Sequence, residues 1–96
     1  MKTDSNVVAV EARTDSGFEF SYRLEVSEIE YEEGIFPSYS ISASVENRST
    51  GYADRITVRE LTSVESVAMD FLTLISNGCV TPMTLLEVAE DFLAEA

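Results

Sequence analysis

The sequence has no histidine and no tryptophan, a single cysteine, two prolines, and only six basic residues against eighteen acids, for a formal net charge of −12 in 96 residues. Each shortage excludes something. Without histidine the usual general base near neutral pH is missing, and Cys79 has no imidazole to activate it. One cysteine excludes an internal disulfide and a thiolate-only metal cage. A field this negative repels DNA, RNA and anionic membranes, so direct nucleic-acid binding is not expected. No apolar run approaches the roughly 20 residues needed to cross a bilayer. The start, MKTDSNVVAV, has an acid at Asp4 and a four-residue apolar run, and is expected to be neither signal peptide nor anchor. A cytoplasmic protein is the expectation.

The chain is nonetheless built to fold: 45% of it is hydrophobic and 25% charged, ordinary for a globular domain. With no linker, repeat or break in composition, residues 1–96 read as one domain. Val8, Val10 and Ala12 alternate with polar or smaller neighbours and predict a short first strand; TDSG, residues 14–17, is a turn. In FEFSYRLEV, Phe18, Phe20, Tyr22, Leu24 and Val26 alternate with polar residues, which predicts a strand with one buried face. The phase breaks at Ile29 and Tyr31, and a bulge or bend near Ser27–Glu28 is expected to restore their inward aim. Pro37 marks a strand start, and SYSISASVE follows with Tyr39, Ile41, Ala43 and Val45 inward and serines outward. After the turn NRSTG, a fourth strand runs roughly from Tyr52 to Arg59, with Ile56 and Val58 inward.

The period then changes to 3.6. TSVE, residues 62–65, fits a capping box between Thr62 and Glu65. Val64, Val67, Ala68, Phe71, Leu72, Leu74 and Ile75 share one helical arc, and Asn77–Gly78 is a stop with Gly78 left-handed. Thr81–Pro82 starts a second helix with Leu85, Leu86, Val88, Ala89, Phe92 and Leu93 on its apolar arc. The fold expected is α+β: a small antiparallel four-stranded meander followed by a helical hairpin on one face, ββββαα.

Three segments, SYSIS, RITVRELTS and VTPMTLLEVAEDFL, resemble a family of small bacterial proteins known only as a domain of unknown function. Its pattern is a Tyr-small-Ile strand, an acid-Ile-Ser lead into a helix, and a closing Pro-x-x-Leu-x-x-Val-x-x-Asp-Phe-Leu helix. Here Ser40 stands at the small position, Leu61 replaces the Ile, and the acidic N-terminal half is longer. The resemblance covers the C-terminal two-thirds and implies a strand region plus a helical hairpin; it implies no activity.

The acids are the chemistry on offer. SEIEYEEG places Glu28, Glu30, Glu32 and Glu33 within residues 27–34, and the last helix adds Glu87, Glu90, Asp91 and Glu95 on its polar arc. From Leu61 to Ala96 there are six acids and no base. Arg23, Arg55 and Arg59 are expected on the outer sheet face, paired with Glu19 and Glu25. On a strand, Glu28, Glu30 and Glu32 share a face about 6.6 Å apart, too far to converge on one ion. No metal site, cofactor or catalytic residue is expected, and Cys79 reads as a small packed hydrophobe. The acidity serves either solubility or recognition. The functional expectation is a non-enzymatic acidic protein-binding module: an inhibitor that occupies a basic nucleic-acid-binding surface of a partner enzyme, of the DNA-mimic or anti-CRISPR type. Its partner-binding residues are Glu28, Glu30, Glu32, Glu33, Glu87, Glu90 and Asp91. The alternative is a cytosolic scaffold or regulatory module acting by homodimerisation or other protein contacts, through a sheet edge or the face of Ser38, Ser40, Ser42 and Ser44.

Overall fold

A computed structural model describes residues 5–95, with side chains for residues 6–94. Four strands, β1 (Ser5–Asp15), β2 (Phe18–Tyr31), β3 (Gly34–Asn47) and β4 (Tyr52–Thr62), form one antiparallel sheet in the order β1-β2-β3-β4. Two helices follow, α1 (Glu65–Asn77) and α2 (Pro82–Glu95). The topology is the expected α+β meander with two helices. The reading of residues 1–4 and of the Glu95 side chain falls outside what is described.

Hairpin chemistry sets the register. Ser16 and Gly17 have φ of 50° and 85°, the pair of positive values that a two-residue hairpin turn with the right-handed sheet twist requires. β2 and β3 pair without interruption from Glu19↔Glu46 to Tyr31↔Gly34, closed by the two-residue turn Glu32–Glu33. Asn47 organises the β3–β4 turn, its side-chain oxygen accepting from the Ser49 and Thr50 N–H groups.

One face of the sheet is the core. Phe20, Tyr22, Leu24, Tyr39, Ile41, Ala43, Val45 and Leu61 pack against Ala68, Phe71, Leu72, Ile75, Leu85 and Ala89 of the helices. α1 lies across the sheet with β2 as its main support, and α2 lies on β4 and β3. Phe71 and Phe92 join the helices, their rings 5.0 Å apart. Leu74 and Leu86, expected on the apolar arcs, are instead 48% and 57% exposed, because each helix meets the sheet along a narrower stripe than its run of apolar residues.

The strands depart from the sequence reading at several points. In β1, a bulge between Val7 and Ala9 reverses the phase, so Val10 and Ala12 point outward while Ala9, Glu11 and Arg13 face the helices. β2 has no bulge at Ser27–Glu28; Ile29 and Tyr31 simply lie on the other face, and Pro37 sits inside β3 opposite Glu28. Pro37 is tolerated there because the β4 pairing stops at Tyr39↔Thr62, leaving β3 with β2 on one side only. The second bulge is instead in β4, where Arg59, Glu60 and Leu61 oppose Ser40, with Glu60 at φ 52°.

The helix ends also differ. Thr62 makes no capping box: its hydroxyl accepts the Val64 N–H at 3.1 Å, and Val64 is the residue before the helix. At the other end Gly78 has φ −90°, and Cys79, at φ 48°, takes the left-handed position. The Val80 N–H reaches Ile75 O and the Cys79 N–H reaches Ser76 O, the two bonds of a Schellman motif displaced by one residue.

Helices of 13 and 14 residues are about 20 Å long, whereas 14-residue strands run about 46 Å. The sheet therefore outreaches its helical layer, and the molecule measures 50 × 30 × 18 Å. Among the described residues the β1 pairing ends at Ser5↔Ser27, and beyond Ser27 and Ser38 the β2–β3 hairpin projects as an arm of two strands. That arm carries the acidic stretch.

A candidate acidic recognition surface

Opposed residues on antiparallel strands share a face, so the sides of the arm follow from the register. Glu28 and Glu30 continue the face of Phe20, Tyr22 and Leu24 and so lie on the helix side, opposite Pro37 and Ile35. The apparent phase break in the sequence marks where helical cover stops. Among the described residues no helix lies above them, and these positions hold carboxylates in solvent. The other side of the arm bears Ile29, Tyr31 and Phe36; the rings of Tyr31 and Phe36 lie 5.9 Å apart across the strands. Glu32 does not extend the strand row, since β2 ends at Tyr31 and Glu32 and Glu33 form the tip.

The helical acids lie on the same side. α1 begins just after Thr62, which pairs with Tyr39 near the root of the arm, and ends beside Arg13, whose guanidinium donates to Asn77 Oδ1 at 3.3 Å. α2 then returns. It starts at an apolar hollow of about 320 Å³ lined by Phe18, Phe20, Val45, Tyr52, Thr81, Pro82 and Met83, and runs back toward the arm. Glu87, Glu90 and Asp91 are exposed on its outer arc, with Glu90 and Asp91 in the half nearer the arm. Glu28 and Glu30 are therefore placed on the same side and toward the same end as the second half of α2, and Glu32 and Glu33 cap the projecting tip.

The ion pairs lie elsewhere. Arg48 bonds Glu19 at 3.2 Å and Glu46 at 3.5 Å, Arg23 meets Glu25 at 3.8 Å, and Arg13 meets Glu11 at 3.1 Å. The expected sheet-face pairing holds for Arg23 with Glu25; Glu19 is taken by Arg48, and Arg55 and Arg59 make no ion pair among the described residues. None of the seven candidate acids is ion-paired among the described residues. Among those residues, no cluster of three carboxylate or thiolate groups is placed to hold a metal ion.

Sequence reasoning missed the exposed aromatic side of the arm. Tyr31 is 50% exposed and Phe36 43%. The signal was present: a two-residue turn at Glu32–Glu33 places Ile29 opposite Phe36. Cys79 is half-buried against the core and serves the α1 terminus. Among the described residues no helix is long and apolar enough to cross a membrane.

No curated protein and no solved structure matches the chain. A match to a family of unknown function, DUF6514, extends over residues 1–95, beyond the C-terminal two-thirds that carries the sequence resemblance, and the chain belongs to that family.

Proposed function

We propose that the chain is an acidic protein-binding module whose helix-side surface engages a basic groove on a partner protein. The observation that carries this reading is the segregation of charge. Glu28, Glu30, Glu87, Glu90 and Asp91 are exposed on one side of the sheet and free of ion pairs among the described residues, while the paired bases sit along the strands and turns of the main sheet. Carboxylates held without counter-charge keep their full field for an approaching cation and speed its encounter. Glu28 and Glu30 stand about 6.6 Å apart on a stiff support, about twice the axial charge repeat of one nucleic-acid strand. An inhibitor of the DNA-mimic kind, of which anti-CRISPR proteins are one class, uses such a surface to occupy a nucleic-acid channel. Among the described residues the projecting arm is narrow and two-stranded, a shape that fits such a channel.

The experiment is affinity capture on the immobilised chain from a bacterial lysate rich in nucleic-acid-processing enzymes, with elution in salt steps. The reading expects a basic protein released at moderate salt, because exposed charges are screened within about 8–10 Å there. Capture only of a non-basic partner that resists salt, or of nothing, defeats it.

A further inference from the structure

The two edge strands are not equally protected. β1 carries a bulge between Val7 and Ala9 and turns Glu11 and Arg13 toward the helix-side face, both devices that block the addition of another strand. β4 turns only Asp54 toward that face and has no bulge over most of its length. From Tyr52↔Asn47 to Val58↔Ile41 it holds regular register with β3, without proline or lysine, and the bulge comes only at Arg59–Leu61. Its one guard is Asp54, whose carboxylate accepts the Arg55 N–H at 2.8 Å.

An apolar flank runs beside that edge. α2 lies on β4 and β3, with Leu85 and Ala89 buried and Phe92 turned to Phe71 of α1. At about 100° per residue, Leu86 and Leu93 fall on the flank of α2 that faces away from α1, over the free edge of the sheet. They are 57% and 40% exposed, and Ile56, on the helix-side face of β4, is 39% exposed.

We propose that a second copy of this chain docks here, β4 pairing antiparallel with β4 of the partner about a two-fold axis at Ile56. The two sheets then join into one of eight strands, and α2 packs on α2 of the partner at the usual 8–10 Å through Leu86 and Leu93. Charge selects both the place and the register. Tyr52–Thr62 contains two acids, Asp54 and Glu60, and two bases, Arg55 and Arg59, so this edge is neutral on a chain of net charge −12. With Ile56 on the axis, Arg55 opposes Thr57 and Arg59 opposes Ala53. An axis at Arg55 sets that arginine against its own copy, and one at Thr57 sets Arg55 against Arg59; both are destabilising. The inference does not rest on the acidic-surface reading, although such a dimer brings two copies of Glu87, Glu90 and Asp91 to one helical layer.

The test is sedimentation velocity of the purified chain over a wide concentration range at moderate salt, with Ile56→Glu and Leu86→Glu alongside. Both positions are exposed in one copy, and far-UV circular dichroism confirms that each variant folds. The wild type is expected at twice the monomer mass, with each substitution weakening self-association about tenfold or more. A wild type that is monomeric throughout overturns the proposal and leaves the edge to a foreign strand. A dimer indifferent to both substitutions overturns it by placing the contact elsewhere. No other protein is in the cell, so failure here is separate from failure of the capture experiment.

Discussion

The Tyr22 hydroxyl donates to the Val80 carbonyl at 2.7 Å, tying the middle of β2 to the loop that joins the helices. Tyr22 is fully buried, and desolvation, reinforced by the nearby Cys79 and opposed by Arg13, pushes its pKa up to about 12. The folded state thus holds the phenolic proton more tightly than the unfolded chain, whose tyrosine titrates near 10. The stabilisation is complete below pH 10 and is lost as pH rises toward 12. Thermal melts between pH 8 and 12 are expected to fall in the upper part of that range. Tyr22→Phe leaves the Val80 carbonyl unpartnered, costs about 1–3 kcal/mol at neutral pH, and flattens the alkaline decline.

Glu60 is exposed and sits at φ 52°, where side chains strain the backbone by about 1–2 kcal/mol. Glu60→Gly relieves that strain, offset by about 0.5–1 kcal/mol of extra chain entropy. The Glu60 N–H bond to Ser40 Oγ is untouched. The net gain expected is about 0.5–1 kcal/mol, read as a Tm rise of a few degrees by calorimetry.

Ile35 and Ile41 lie on one strand and face the same side, yet Ile41 is 0% exposed and Ile35 61%. Ile41→Ala opens a cavity under the helices and is expected to cost about 2–5 kcal/mol in urea unfolding. Ile35→Ala stays within about 0.5 kcal/mol, because among the described residues no helix reaches the arm. Equal costs at the two positions contradict the limited helical cover described above.

The arm is also expected to be dispensable for folding. Ser27 and Ser38 are paired, so residues 28–37 can be replaced by Asn-Gly to close a shorter hairpin. The shortened chain is expected to keep its circular dichroism spectrum and a cooperative melt while losing binding to a basic partner. Loss of cooperative folding identifies the arm as part of the core.

These contrasts show which parts of the sequence carry readable information. The alternation from Phe18 to Val26 is legible because an apolar face opposes charged and hydroxyl residues at every step. Val7–Val10 has no such contrast, so the bulge that sends Val10 outward leaves no trace in composition. The change of phase at Ile29 is visible, but its cause is the end of the helical layer, a tertiary fact. Gly78 and Cys79 illustrate the same limit, since both are compatible with a helix stop and packing against the core decides which residue turns left-handed. The seven candidate acids are individually legible; the placement of Glu28, Glu30, Glu87, Glu90 and Asp91 on one side depends on an uninterrupted β2–β3 register and on the return direction of α2.

The most direct measurement of the central claim compares two charge-reversed variants with the same net charge. One carries Glu28→Lys, Glu30→Lys and Glu90→Lys on the helix side; the other carries Glu19→Lys, Glu25→Lys and Glu46→Lys on the outer face. Binding of each to the captured basic partner is read by titration calorimetry at low and moderate salt. A recognition surface predicts that the first variant loses binding while the second retains most of it. Equal losses in both reduce the effect to net charge, and retained binding in the first contradicts the assignment of the helix-side acids.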